Sequence, residues 1–172
     1  MARNVEIKAR IDSIEALVPR AAAIATQGLD RIEQDDTFFP CPNGRLKLRA
    51  FDAQRGELIF YARLDQAGPK ESFYILSPTA SPDTLRDALT AAYGTGGRVR
   101  KVRTLFLVGR TRVHLDRVEG LGDFLELEVV LHDDEAVTAG VAEAHALMAR
   151  LGVAQDALIE GAYVDLLRQR QA

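Results

Sequence analysis

Apolar and charged residues alternate along much of this chain, and the alternation predicts a sheet. It is first seen at residues 4–11, where every second residue is apolar and the others are polar or charged. The same period returns at residues 46–49, 57–63, 99–103, 110–116 and 124–129. Successive side chains of a strand point to opposite faces, so each segment presents one charged row and one apolar row. One surface of a sheet could therefore collect many cations and a few paired carboxylates.

Turn and capping residues divide the chain into about eight strands, with helices at three places. Strands are predicted at about 3–11, 34–39, 45–51, 57–64, 71–76, 98–108, 110–118 and 123–131. Helices are predicted at about 13–27, 81–93 and 133–151, with short helices at 154–159 and 162–170. Pro19 is expected to kink or restart the first helix. Since no linker, repeat or low-complexity run divides the chain, we expect one α+β domain over residues 1–172, built on a mostly antiparallel sheet.

Composition and charge narrow the function classes. The 172 residues are 47% hydrophobic and 27% charged, which is typical of a globular domain with a substantial core. A net charge of −3 disfavours general nucleic-acid binding, and the single cysteine, Cys41, excludes an intramolecular disulfide. The N-terminus has no apolar signal core, and no apolar run approaches the roughly 20 residues that span a bilayer. We therefore expect a cytoplasmic protein with no nucleic-acid or membrane partner.

The orientation of the charged rows decides what the sheet can bind. An ordinary antiparallel sheet buries its apolar rows and leaves its charged rows in water. Here, however, Arg, Lys and Glu recur in almost every strand, and the apolar rows are numerous enough to pack outward against the helices. Eight strands can close into a barrel around one small ligand. We predict such a closed barrel with a charged lumen, which must be hydrated or hold an anion because buried unpaired cations are very costly.

Eight segments match a known family in order and spacing. They lie at residues 4–8, 34–39, 44–49, 57–63, 99–103, 112–116, 121–128 and 163–167. The chain resembles the CYTH superfamily of triphosphate tunnel metalloenzymes, within its class IV adenylate cyclase-like and thiamine triphosphatase-like branch. The resemblance covers nearly the whole chain. One departure is that the family signature begins Glu-x-Glu-x-Lys, whereas this chain has Asn4 at the first of these positions.

The resemblance implies a site for Mg²⁺ or Mn²⁺, with Glu6, Glu126, Glu128 and Asn4 as ligands. Glu126 and Glu128 leave the same face of one strand, and a cation between them would relieve their repulsion. The alternative for this pair is an exposed edge strand. Asn4 offers a neutral oxygen, which leaves open the number of metals bound and the catalytic rate. Asp116 is expected to hold a metal-bound water or to orient a basic partner, and its alternative is a turn residue.

A clamp for the polyphosphate is implied by the same resemblance. Its expected members are Lys8, Lys47, Arg49, Arg63, Lys101, Arg103 and Arg112. Several cations are needed to neutralise a triphosphate, and arginine binds phosphate oxygens in bidentate fashion. Lys8, Arg49 and Arg103 are expected, together with Asp116, to act in catalysis.

Other polar residues are predicted to have lesser roles. The basic residues expected at the rim, in solvent or on the outer face are Arg10, Arg110, Arg45 and Arg100. His114 has the parity of the inward row, but a hydrogen-bonded structural histidine is preferred to a general base. Tyr163 is expected to pack a helix against the barrel, and residues 34–36 are expected to line or cap a tunnel end.

Three functions follow from this interpretation. In the first and preferred one, ATP is cyclised to cyclic AMP and pyrophosphate. In the second, water attacks the terminal phosphoryl group of thiamine triphosphate, inorganic triphosphate or a nucleotide. In the third, the tunnel binds a triphosphate or polyphosphate without turnover, because Asn4 replaces an acid. Related proteins are often dimeric, so a homodimer is an open alternative.

Overall fold

The computed structural model describes residues 2–63 and 68–172, and its centre is a barrel of eight strands. The strands are β1 (Ala2–Arg10), β2 (Gln27–Phe39), β3 (Arg45–Asp52), β4 (Arg55–Arg63), β5 (Lys70–Thr79), β6 (Gly97–Val108), β7 (Thr111–Val118) and β8 (Gly122–Val130). The helices are α1 (Ile14–Ile24), α2 (Pro82–Tyr93), α3 (Val137–Leu151) and α4 (Tyr163–Gln171), with one 3-10 turn at Gln155–Ala157.

The strands close in the order β1-β5-β4-β3-β2-β6-β7-β8. Every pairing in this ring is antiparallel. Closure gives each strand two hydrogen-bonded neighbours, which removes the open sheet edges that invite aggregation. The predicted closed antiparallel barrel is confirmed.

Alternation along each strand sorts its side chains between lumen and shell. In β8, Leu127 and Val129 are fully buried in an apolar cluster outside the barrel that includes Leu147 of α3. Glu126 and Glu128, at the intervening positions, line a cavity inside it. The apolar rows are therefore covered by helices and the charged rows face inward. This is the reverse of a sheet that wets its polar face, and it agrees with the prediction.

A second apolar cluster closes one end of the barrel. Tyr163 and Val164 of α4 pack there with Phe38 of β2 and Val99 of β6. The close approach requires a glycine at position 97, where φ is +126° and an added Cβ would lie 2.5 Å from Val164 Cγ2. The helix is thereby fixed against the strand ends.

Strand β2 is much longer than predicted. The strand begins at Gln27 and not near residue 34, and α1 ends at Ile24. The extra residues pair with β6 as far as Leu107, with a register shift between Gly28 and Asp30. This pairing is long-range, so the weak local alternation of residues 27–33 did not reveal it.

The helices differ less from expectation. Ser13 caps α1 by accepting a hydrogen bond from the Ala16 amide, and Pro19 lies inside the helix without ending it. Helix α3 begins at Val137, a few residues later than predicted, and ends at Gly152 in the left-handed conformation. Among the described residues, no helix has the length and apolarity needed to cross a membrane.

Replacement of Gly140 by alanine should destabilise the barrel. A Cβ there would lie 2.7 Å from both Leu131 Cδ2 and Val5 Cγ2, and Val5 is fully buried. Overpacking of this kind costs about 1 to 3 kcal/mol, against a gain of about 1 kcal/mol in helix propensity, so we expect a net loss of up to about 2 kcal/mol. Urea unfolding measures the difference. Thr138→Ala, at an exposed position of the same helix, is the control and should be neutral or slightly stabilising.

Candidate functional site

Inward-facing side chains from all eight strands enclose a cavity of about 300 Å³. This volume is at the lower end of the range for small-molecule sites. The predicted site residues that line it are Asn4, Glu6, Lys8, Lys47, Arg49, Lys101, Arg103, Arg112, Glu126 and Glu128. Asp116 lies beside it and is fully buried. The side chain of Arg63 falls outside the described part of the structure.

Asp116 anchors the basic residues of β6. Its carboxylate accepts two hydrogen bonds from Arg103, each 2.7 Å long, and lies 3.4 Å from Lys101 Nζ. Burial opposes ionisation of Asp116, but the charges of Arg103 and Lys101 outweigh it and hold the pKa of Asp116 well below its usual value. The geometry corresponds to the second of its two expected roles, orienting a basic partner.

Asp36 does the same for the basic residues of β3, and the sequence had assigned it no clear role. It accepts hydrogen bonds of 2.8 Å from Lys47 and, through two nitrogens, from Arg49. Burial opposes its ionisation, yet the two cations hold the pKa of Asp36 far below its usual value. The parity of residue 36 was readable from the sequence. The β2–β3 register that places it opposite Arg49 was not.

Asp35, the residue next to Asp36 in β2, lies on the opposite face of the strand and has a different role. Asp35 points away from the lumen and pairs with Arg98 at 2.6 Å and with Arg100 at 3.4 Å. The expectation that it lines or caps a tunnel end is therefore wrong. Gln34 does line the cavity, as expected.

Tyr163 has a larger part than packing alone. Its ring lies 4.0 Å from Lys8 Nζ, and its hydroxyl donates a 3.1 Å hydrogen bond to Asp116. Burial raises the pKa of Tyr163 well above its usual value, so the hydroxyl keeps its proton. Lys8 in turn lies 3.1 Å from Glu126. The helix that closes the barrel thus reaches the clamp directly.

One basic residue with inward parity, Lys70, was not among the predicted members of the clamp. Lys70 is 3% exposed and lies opposite Glu6 in the β1–β5 register. The predicted strand began one residue too late to include it. Its parity, shared with the cavity-lining Ser72 and Tyr74, was the available signal.

The basic residues predicted outside the lumen lie there. Arg45 bonds to Asp165 of α4 at 2.6 Å, and Arg110 bonds to Glu135 at 2.5 Å. Arg100 is exposed, and Arg10 lies over the ring of Phe124 at the barrel surface.

Glu126, Glu128 and His114 lie together in the lumen. One possible ligand atom from each of them lies within 4.8 Å of the others. Arg103 bonds to Glu126 and Arg112 bonds to Glu128, both at 2.8 Å. Burial opposes ionisation of both carboxyls, but the surrounding cations outweigh it. The pKa of Glu128 falls to about 2 and that of Glu126 lies well below its usual value. Both are therefore ionised at neutral pH.

The donor set fits a divalent cation. Two ionised carboxylates face the lumen two residues apart, a spacing that a cation stabilises. Among the described side chains, Asn4 Oδ1 and His114 Nδ1 are buried without hydrogen-bond partners. Glu6 lines the same cavity opposite Glu128 in the β1–β8 register.

Comparisons with known proteins agree with this architecture. The CYTH domain family model matches residues 2–163. The adenylate cyclase CyaB of Aeromonas hydrophila is 25% identical over 174 residues, which cover 96% of this chain and 89% of CyaB.

Solved structures share the fold at lower identity. A protein of Pyrococcus horikoshii is 21% identical with a TM-score of 0.83, over 95% of this chain and 98% of its own. An adenylyl cyclase-like protein of Hippeastrum, described as having a dominant triphosphatase activity, is 17% identical with a TM-score of 0.67, over 97% of this chain and 96% of its own.

Substitution Asp36→Asn should separate stability from anion binding. Loss of the charge leaves Lys47 and Arg49 buried without their counter-ion, which should cost about 3 kcal/mol, at the low end for a broken buried pair. Inorganic triphosphate supplies negative charge to the same cations, so it should stabilise this variant more than the wild type. Thermal unfolding with and without inorganic triphosphate measures both effects.

The matched control for that experiment is Asp35→Asn. Its pairs lie on the outer face, where an ion pair contributes less than about 1 kcal/mol. Equal responses of the two variants to inorganic triphosphate would contradict the assignment of Asp36 to the lumen clamp.

Proposed function

Since the chain belongs to the CYTH family, we propose that it is a divalent-cation-dependent enzyme that converts ATP to cyclic AMP and pyrophosphate. The observation that carries the proposal is the convergence of cations and ionised carboxylates in one enclosed lumen. Within the described residues, the cations that line it are Lys8, Lys47, Arg49, Lys101, Arg103 and Arg112. A lining of both basic and acidic side chains suits a polyphosphate bound together with a divalent cation.

The basic residues hold the triphosphate. Arg49 and Arg103 each present a planar guanidinium whose orientation is set by a bidentate carboxylate, Asp36 and Asp116 respectively. Side chains ordered in advance lose little conformational entropy when they bind an anion. They also supply positive charge where negative charge develops during phosphoryl transfer, which is the main requirement of that chemistry.

The acidic residues have the complementary task. Glu6, Glu126 and Glu128, with the amide oxygen of Asn4, would hold Mg²⁺ or Mn²⁺. When bound, the cation polarises the phosphoryl group and neutralises charge on the leaving pyrophosphate. In its absence these carboxylates compete with the triphosphate for the clamp cations, as the 2.8 Å pair between Arg103 and Glu126 illustrates.

The organic part of the nucleotide has an apolar region available. Ile32, Phe51 and Leu105 line the cavity, and none of the three belongs to the apolar cluster in which α4 packs. A base held there leaves the triphosphate among the clamp cations. The ribose 3′-hydroxyl then attacks the α-phosphoryl group, and positioning with charge stabilisation supplies the catalysis. The CyaB relative, matched over 96% of this chain, supports cyclisation.

Hydrolysis is the second candidate. The Hippeastrum relative with a dominant triphosphatase activity has the same fold. The reaction uses the same clamp and acids, with water in place of the ribose hydroxyl. The substrates to test are thiamine triphosphate, inorganic triphosphate and nucleoside triphosphates.

Product analysis distinguishes the functions. Purified protein is incubated with ATP and either Mg²⁺ or Mn²⁺, and we expect cyclic AMP and pyrophosphate in equal amounts. Arg49→Ala should lower kcat/KM roughly 100-fold, as for loss of a charge-stabilising donor. Arg100→Ala, on the outer face, should leave it unchanged. Orthophosphate without cyclic AMP would favour hydrolysis, and binding without any product would contradict both activities.

The affinity for inorganic triphosphate should fall as pH rises through 7. Burial and the neighbouring Arg49 lower the pKa of Lys47 to about 7, although Asp36 acts to raise it. A bound polyanion raises that pKa again, so above pH 7 the complex holds more protons than the free protein. By linkage, binding takes up a proton in this window and weakens by up to about tenfold per pH unit.

Calorimetry in two buffers of different ionisation enthalpy measures this proton uptake. Inorganic triphosphate itself titrates, so the quantity of interest is the difference from Lys47→Arg, whose guanidinium stays charged. The difference should be near zero below pH 7 and grow above it. Identical pH profiles for the two proteins would show that Lys47 does not titrate in the clamp.

A further inference from the structure

His114 lines the lumen on the same side as Glu126 and Glu128. It is 3% exposed on β7, and its Nδ1 atom is buried with no hydrogen-bond partner among the residues that the structure describes. An orphaned buried polar atom costs about 1 to 3 kcal/mol. Glu126 Oε2 lies 3.8 Å and Glu128 Oε1 lies 3.7 Å from this nitrogen, and both distances are too long for hydrogen bonds.

The position of this atom is fixed by the sheet. The β7–β8 register pairs His114 directly with Glu126, and Glu128 is the next inward residue of the same strand. Nδ1 is therefore held nearly equidistant from the two carboxylates by paired strands, and not by a mobile loop. A group bound between the three side chains would satisfy the orphaned nitrogen and relieve the repulsion between the acids at the same time.

We propose that His114 Nδ1 is a metal ligand together with Glu126 and Glu128, and that it makes the lumen prefer a first-row transition-metal ion such as Co²⁺ or Zn²⁺ to Mg²⁺. Imidazole nitrogen suits these ions, whereas Mg²⁺ favours oxygen ligands. The inference deepens the proposed function, because it rests on a divalent cation acting in the same lumen.

The distances are compatible with such a site. Metal–nitrogen and metal–oxygen bonds of about 2.0 to 2.2 Å place neighbouring donor atoms about 3.0 to 3.5 Å apart. The two separations from Nδ1, 3.7 and 3.8 Å, need to contract by a few tenths of an ångström, and one donor atom of each of the three residues lies within 4.8 Å of the others. Arg103 and Arg112 hydrogen-bond to Oε2 of the two glutamates, and partners of this kind orient ligating carboxylates.

Asn4, which stands where the family signature has a glutamate, also affects which metal ion the lumen prefers. With Asn4 in place of an acid, the strand β1 side of the lumen offers one negative charge fewer to a hard cation. A neutral nitrogen donor adds no charge but does add affinity for softer ions. The donor atoms of this lumen therefore differ from the set of carboxylates alone that suits Mg²⁺.

The test measures metal binding without nucleotide, using untagged protein. Isothermal titration calorimetry should show that Co²⁺ binds more tightly than Mg²⁺. The visible absorption spectrum of the bound Co²⁺ should show that a nitrogen atom is among its ligands. His114→Gln, which replaces the nitrogen by an amide oxygen, should weaken Co²⁺ binding at least about tenfold. The same variant should leave the Mg²⁺ affinity within about twofold. His132→Gln, at an exposed position outside the lumen, is the matched control and should change neither affinity.

Equal losses of Co²⁺ and Mg²⁺ affinity in His114→Gln, or no loss of either, would overturn the proposal. If this variant fails to fold, nitrogen NMR of the wild type decides the matter: Zn²⁺ should shift Nδ1 of one histidine of the three in the chain, and this histidine should be His114. Failure of the proposed function gives a different pattern, with Co²⁺ bound through His114 but no product formed from ATP.

Discussion

The structure depends on the burial of many ionised side chains inside a closed sheet. A charge taken from water into a protein interior is tolerated only when it is paired and hydrogen-bonded, because desolvation costs several kcal/mol per ion. The barrel meets this condition with inward carboxylates that each serve more than one cation. Asp36 holds Lys47 and Arg49, and Asp116 holds Arg103 and Lys101.

This constraint also explains why a lumen lined by so many cations carries acids as well. Cations alone would repel one another across a cavity of about 300 Å³. Carboxylates hold them in place and fix the direction of the guanidinium groups. In the proposed function, Glu126 and Glu128, which pair with Arg103 and Arg112 in this structure, would pass to a divalent cation when a polyphosphate binds the basic side chains. On that proposal, these two glutamates serve both the stability of the barrel and its chemistry.

The shell has a simpler role, yet it reaches the site. Helices α1 and α3 cover the apolar rows of the strands, which lets the charged rows face inward. Helix α4 closes one end and inserts Tyr163 between Lys8 and Asp116. A change in α4 packing is thus transmitted to two charged residues of the lumen through one aromatic ring.

Parity along the strands was enough to find most of the lumen. Glu126, Lys101 and Arg49 could be placed on inward rows because side chains alternate with period two. His114 had the correct parity too, but the sequence favoured a structural role for it and gave no sign of a metal ligand. Whether a buried imidazole nitrogen is hydrogen-bonded or orphaned depends on distances to β8 that no local pattern contains. Lys70 was missed only because the start of its strand was placed one residue late.

By itself, then, the sequence determined the class of fold, the inward charged rows and the family resemblance, since each follows from local periodicity or from motifs in order. Tertiary structure alone decided which charges meet. The register of β2 on β3 gave Asp36 its two partners, and the register of β7 on β8 placed His114 between two carboxylates. Register is set by pairing between segments far apart in the chain, and a shift of one residue would exchange lumen and shell.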